Sequence, residues 1–158
     1  MPNGESQKIA NKLLKNNIMI DLSADFRLTN AKIYNKYYGI KHISLNNLKK
    51  SIYGLTEINK KNLSKGKIIA CPGCYPTSIL LPLFPLIKKN LIDFKNIIID
   101  SKSGFSGAGR GVHKKFKNKN LYGSTSAYGI ASHRHNAEIQ QELGNVKKNI
   151  EFTFTPHI

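Results

Sequence analysis

The heptapeptide Cys71-Pro72-Gly73-Cys74-Tyr75-Pro76-Thr77 places a thiol where backbone chemistry can sharpen it. A strand-like run, Lys67-Ile68-Ile69-Ala70, leads into a Pro-Gly turn, and the apolar Ile79-Leu80-Leu81 follows it. Pro76 falls just inside the expected helix start, where a missing N–H costs nothing. Cys74 thus stands at the mouth of a helix, among orphan N–H donors and the positive end of the dipole. A free thiol ionises near pH ~8.5, and such surroundings lower that value by about one unit or more. The thiolate is the nucleophile. Five histidines accompany the thiol, two of them in Ser132-His133-Arg134-His135, with Glu138 one turn further on. A histidine titrating near neutrality serves as a general acid or base, with Glu138 orienting it or Arg134 holding an anion. Cysteine and histidine together point to covalent acyl chemistry. The bland alternative for the histidine pair is an exposed, polar helix start.

Two further readings of the thiols stay open. Cys71 and Cys74 form a CxxC, which in an intracellular chain suits a redox pair or half of a zinc site. His133 and His135 are two apart, however, closer than the usual zinc spacing. Cys71 so near Cys74 also predicts an internal disulfide under oxidation. A glycine loop, Ser103-Gly104-Phe105-Ser106-Gly107-Ala108-Gly109-Arg110-Gly111, follows an apolar run. It does not match the GxGxxG dinucleotide fingerprint. It is either a tight irregular connection or a backbone surface for an anion or flat ring, with Lys102 and Arg110 supplying charge at its edges.

The 158 residues suffice for one core or for pieces of two domains. No apolar stretch reaches the ~18 residues of a membrane span, since Pro82 and Pro85 interrupt the best candidate, Ile79 to Ile87. The opening Met-Pro-Asn-Gly-Glu-Ser-Gln-Lys resembles neither a signal nor a transit peptide. The expectation is a cytoplasmic protein with no membrane partner. A net charge of +16 raises the question of nucleic acid, but only Arg27, Arg110 and Arg134 are arginines. The lysines come in scattered pairs without any nucleic-acid-binding motif. A solvated basic surface with no nucleic-acid partner is the expectation, and a field that captures acidic ligands is the alternative.

The elements that must carry these residues follow from periodicity and punctuation. A helix is expected from about Ser6 to Lys15, a buried strand over Asn17 to Asp21, and a loop from Leu22 to Leu28 carrying Asp25 and Arg27. Thr29 to Tyr38 reads as helix, and Leu45 to Asn62 as turn-rich. Lys67 to Ala70 is a strand, and Tyr75 to Lys89 is a helix kinked at Pro82. Ile97-Ile98-Ile99-Asp100 is a continuous apolar run and predicts a fully buried strand. A helix from Arg134 to Leu143 stops at Gly144, and Ile150 to Thr155 alternates as a strand. Strands and helices interleave, so the class is α/β or α+β.

Five stretches together resemble N-acetyl-γ-glutamyl-phosphate reductase, of the glyceraldehyde-3-phosphate and aspartate-semialdehyde dehydrogenase superfamily. They are Ile20 to Leu28 (IDLSADFRL), Pro72 to Thr77 (PGCYPT), Ser101 to Arg110 (SKSGFSGAGR), His133 to Leu143 (HRHNAEIQQEL) and Phe154 to His157 (FTPH), in family order. The resemblance implies NADPH-dependent reduction of an acyl phosphate to an aldehyde in arginine biosynthesis. Cys74 would be the nucleophile and His135 the acid/base. His133, Arg110, Arg134 and Glu138 would line the substrate pocket, and Ser103, Gly104, Ser106 and Gly107 would lie near the nicotinamide. It implies a homo-oligomer, dimer or tetramer, acting on a small acyl phosphate, with no resident metal. Residues 1–73 would be the tail of a Rossmann-type nucleotide domain. Residues 74–158 would be part of a glyceraldehyde-3-phosphate-dehydrogenase-like catalytic and oligomerisation domain with a mixed sheet. The family carries Asn where Cys71 stands, and its opening glycine-rich cofactor turn and closing part do not occur in this sequence. The chain then reads as the middle of such an enzyme, of low activity alone. The alternative is a non-catalytic remnant serving as an interaction module.

Overall fold

Residues 1–108 and 123–158 are described by the computed structural model. The chain opens with α1 (Glu5–Leu13) and the short β1 (Met19–Asp21). Next comes α2 (Ala31–Tyr38), whose start is capped by Asn30 accepting from the N–H groups of Lys32 and Ile33. It stops at Gly39, where φ of 68° is a left-handed conformation that glycine adopts without steric penalty. The stretch expected to be turn-rich instead holds α3 (Leu45–Leu48), β2 (Ser51–Tyr53) and α4 (Thr56–Leu63). These elements are short, and α4 buries no residue fully, so they leave almost no apolar period to read. β3 (Ile68–Ala70) lies between β1 and β2 in a parallel sheet of order β1-β3-β2, with Met19 and Ser51 both in register with Ile68. The sheet closes a small core of Ala10, Met19, Phe26, Leu48, Ile68 and Ala70.

The long α5 (Cys74–Lys88) continues without interruption through Pro82 and Pro85. β4 (Ile97–Lys102) leads to a 3-10 turn at Phe105–Ala108, and α6 (His135–Val146) precedes β5 (Phe152–His157), which pairs parallel with β4. Among the described residues both ladders are parallel, and the antiparallel element of the expected mixed sheet is limited to the isolated bridge Ala127–His157. The larger core joins α5, α6, β4 and β5 through Leu80, Ile87, Ile99, Ile139, Leu143 and Phe154. The architecture is mixed α/β with small parallel sheets.

Several expectations need correction. Gly144 does not stop α6, which runs on to Val146. An added Cβ at Gly144 would meet nothing within 4 Å and its φ is not positive, so the residue sits in the helix as an ordinary member. Val146 packs against the core and holds that last turn down. The strand expected to be fully buried is not: Ile99 is in the core, but Ile98 is 82% exposed. Successive side chains point to opposite faces of a strand, and α5 and α6 cover only one of them. β1 behaves likewise, with Met19 buried and Ile20 69% exposed. No helix among the described residues is long and apolar enough to cross a membrane.

Candidate active site

β3 delivers the thiol. Its ladder extends past Ala70, the Cys71 N–H donating to Asp21 O at 2.8 Å, and residues 71–73 then lead to the helix without the expected turn. Gly73, with φ −68° and ψ 161°, caps α5, and Cys74 is the helix's exposed first residue. Thr77 closes the first turn, donating to Gly73 O from its N–H (3.0 Å) and its hydroxyl (2.8 Å). Helix geometry leaves the N–H groups of Cys74 and Tyr75 without intrahelical acceptors, next to the thiol. Both cysteines are free, Cys71 half-buried and Cys74 exposed.

α6 begins at His135 and brings the second group. His135 is 6% exposed and brings the Nε2–Cε1 edge of its ring against Gly73: a Cβ there would stand 2.6 Å from His135 Nε2 and 3.0 Å from Arg27 Nη1. Only glycine fits. Burial pushes His135 down to about 3, with His133, Arg27 and Arg134 adding to the effect. His133 is pushed down to about 4, by burial first and Arg134 second. Both rings are therefore neutral at pH 7. The His135 N–H donates to His133 Nδ1 at 3.2 Å, which puts the His133 proton on Nε2. His133 sits in an aromatic cage, edge-on to Tyr75, Tyr128 and Phe154, each with ring centroids 5.5 Å away. The Tyr128 hydroxyl donates to the Tyr75 hydroxyl, which donates to His157 O, both at 3.1 Å.

Glu138, one turn beyond His135, is expected in the substrate pocket, yet it is 1% exposed and faces protein. One oxygen, Oε1, accepts from the Tyr53 hydroxyl at 2.7 Å and from the Gly73 N–H at 2.8 Å. The other faces Arg27 Nη1 at 3.5 Å, an ion pair too long for a good hydrogen bond. Burial pushes the Glu138 carboxyl up, while Arg27, the Gly73 N–H and the Tyr53 hydroxyl pull it back. Burial and the Glu138 charge push the Tyr53 phenol up, so it stays a donor. Arg27 also donates to Leu22 O at 3.0 Å, which fixes its guanidinium beside Gly73.

Cys74, His133, His135, Arg134 and Glu138 thus gather where α5 and α6 begin, with Arg134 exposed at the α6 cap. Arg110 lies outside the described residues. Ser103, Gly104, Ser106 and Gly107 form a mostly exposed ledge after β4. Ser103 N–H donates to His157 O at 2.9 Å, and Gly107 N–H to Gly104 O at 2.8 Å. A Cβ on Gly107 would collide with Ser103 Oγ, whereas one on Gly104 would meet nothing within 4 Å. The ledge is crowded at Gly107 and open at Gly104.

The sequence reading missed Gly73, Arg27, Tyr53, Tyr75 and Tyr128 as members of this site. Arg27 carried a signal, as one of three arginines in a chain whose basic residues are otherwise lysine. Tyr53 carried none. A cleft of about 630 Å³ shares Arg27 and Tyr53 but none of Cys74, His133, His135 or Glu138. Among the described residues, no cluster of three or more His, Cys, Asp or Glu side chains is arranged to hold a metal ion.

Comparison with known proteins accords with this geometry. Residues 74–158 match the family described as semialdehyde dehydrogenase, dimerisation domain. Over its whole length the chain is 47% identical to a probable chloroplastic N-acetyl-gamma-glutamyl-phosphate reductase of Arabidopsis thaliana, covering 40% of that protein. It is 44% identical to the N-acetyl-gamma-glutamyl-phosphate reductase of Alkaliphilus metalliredigens and 43% to that of Ehrlichia canis, covering 46% of each. The chain therefore spans somewhat less than half the length of the relatives it matches. With its thiol-bearing half matched throughout, the chain belongs to the semialdehyde dehydrogenase family, and its full-length relatives there are N-acetyl-gamma-glutamyl-phosphate reductases.

Proposed function

We propose that this chain carries the thiol-bearing part of an N-acetyl-γ-glutamyl-phosphate reductase, which forms N-acetylglutamate semialdehyde and phosphate in arginine biosynthesis. The observation that carries this reading is the exposed Cys74 on the first turn of α5, with neutral His135 packed on the residue before it. The Cys74 thiolate attacks the acyl carbon, a C–S bond forms, and the C–O bond to phosphate breaks. Phosphate leaves with the electron pair, and a thioester remains on Cys74. The N–H groups of Cys74 and Tyr75 are suited to the oxyanion that develops during attack. His135 is uncharged in the resting site. Its buried Nδ1 has no partner, and a lone pair is cheaper to orphan than an N–H, so its proton belongs on Nε2. With Nδ1 buried, the proton that His135 can exchange is the one on Nε2, which it gives to an oxygen gaining negative charge and takes back later. Exposed Arg134 meets the substrate's anionic groups, and we assign Arg110 the same task.

NADPH is the cofactor of this reading, and when bound it supplies hydride to the thioester carbon. Ser103, Gly104, Ser106 and Gly107 would hold its nicotinamide side. The parallel β1-β3-β2 sheet with its β2–α4–β3 crossover supports reading residues 1–73 as the tail of a nucleotide domain. The matched family description supports reading residues 74–158 as a catalytic and homo-oligomerising domain, dimer or tetramer.

The test uses acetyl phosphate and no cofactor. The chain should release about one phosphate per molecule in a burst and then stop, because the thioester cannot be reduced. Cys74→Ser should remove the burst and Cys71→Ser should leave it. A burst that survives Cys74→Ser, or one lost with Cys71→Ser alone, overturns the assignment.

A further inference from the structure

We propose that Tyr53 and Arg27 are positioning residues for the Cys74 thiol, acting through buried Glu138 on the peptide of Gly73. This rests on Cys74 being the reacting thiol, but not on the identity of its substrate. Three distant parts of the chain meet on one carboxylate. Tyr53 ends β2, Gly73 caps α5, and Glu138 lies on the first turn of α6. Oε1 accepts from Tyr53 and Gly73 together, 2.7 and 2.8 Å away, and Oε2 faces Arg27 at 3.5 Å. Arg27 Nη1 also lies beside Gly73, 3.0 Å from where a Cβ would stand, next to His135 Nε2 at 2.6 Å.

The geometric consequence is specific. The Gly73 N–H lies in the plane of the Pro72–Gly73 peptide, so holding it fixes the backbone that leads into Cys74 and the start of α5. His135 is three residues before Glu138 on the same helix face, so anchoring Glu138 also sets where the imidazole stands over Gly73. Tyr53 belongs to the strand that pairs with β3 at Ala70, and β3 runs directly into residues 71–73. The hydroxyl therefore ties the strand that delivers the thiol to the helix that delivers the histidine. Arg27 is held at Leu22 O and cannot follow Glu138 if the carboxylate shifts. Neither Tyr53 nor Arg27 needs to touch a substrate for this.

The measurement is the rate of iodoacetamide alkylation at Cys74 and Cys71, followed separately by mass spectrometry, on the full 158 residues. Tyr53→Phe removes one hydrogen bond with no change of ring volume and should slow Cys74 by about three- to tenfold, with Cys71 unchanged. A merely structural loss would instead loosen the fold and raise the rate at half-buried Cys71. Glu138→Gln keeps an acceptor for the Tyr53 and Gly73 donors and should be milder than Glu138→Ala. Tyr37→Phe, whose hydroxyl takes no part in the hydrogen bonds of the Glu138 carboxylate, should leave both rates alone. Cys74 reacting at its original rate in folded Tyr53→Phe overturns the proposal. If Tyr53→Phe does not fold, Arg27→Lys decides: a slowed Cys74 supports the proposal, and an unchanged rate defeats it.

Discussion

Asp25 and Glu138 are both buried carboxylates, yet the molecule uses them differently. Asp25 accepts from the Gly4 N–H at 2.8 and 3.0 Å, the Gln7 N–H at 3.3 Å and the Tyr34 hydroxyl at 2.6 Å. Gly4 is the uncapped start of α1, so this carboxylate, 21 residues away, does the work of an N-cap side chain. Both of its oxygens are occupied and none of its partners borders the thiol. Glu138 loads its two short bonds onto one oxygen and leaves the other facing a guanidinium at 3.5 Å. One of its donors is the peptide on which Cys74 and His135 depend. Saturation makes an anchor, whereas an unevenly loaded carboxylate at a helix start makes a device for placing its neighbours.

Mutation separates the two. Asp25→Ala leaves three buried donors, the Gly4 and Gln7 N–H groups and the Tyr34 hydroxyl, without this acceptor and should cost about 3 kcal/mol or more of stability. Urea denaturation would measure it. Cys74 in the folded fraction should still alkylate at its original rate, and a large drop there would break the contrast. Gly73→Ala tests the other centre. Its Cβ would stand 2.6 Å from His135 Nε2 and 2.8 Å from Cε1, so the ring must move. We expect about tenfold or greater loss of the acetyl phosphate burst rate with a stability cost of about 1–3 kcal/mol. A normal burst rate would show that the imidazole position is immaterial.

The smallest effect sharpens the comparison through pH. His135 is held down to about 3 in the fold, against an ordinary value of 6.5. As pH falls below 6.5 the unfolded chain binds a proton at this site while the folded chain does not, so the wild type loses stability. Raised carboxyls such as Glu138 act in the opposite sense, favouring the fold at low pH and losing that contribution as pH rises. The informative quantity is therefore the difference between the wild type and His135→Gln. That difference should shift in favour of the variant by up to about 1.4 kcal/mol per pH unit between pH 6 and 4. Parallel stability curves for the two proteins would show that His135 titrates as an open histidine does.

Much of the scaffold was legible in local pattern. The Ile-rich strands, the helix start at Cys74 and the alternating Phe152 and Phe154 on β5 each follow from short-range periodicity and turn chemistry. The starts of α5 near Cys74 and of α6 near His135 were legible in the same way, but that these two starts meet was implied only by the family resemblance. The stretch from Leu45 to Leu63 was not legible, since its helices are short and lie mostly on the surface.

The sequence by itself determined where chemistry could occur: a cysteine beginning one helix and a histidine beginning another, each surrounded by orphan donors or basic charge. Only the tertiary structure decided what holds them together. Tyr53 and Glu138 are 85 residues apart and Gly73 and Glu138 are 65 apart, and no local period connects positions so distant. It also decided that Ile98 faces outward while Ile99 faces the core. The reason is the same in each case. Periodicity and capping fix the direction of a backbone within an element, whereas the partner that a side chain meets depends on which faces the packed core brings together.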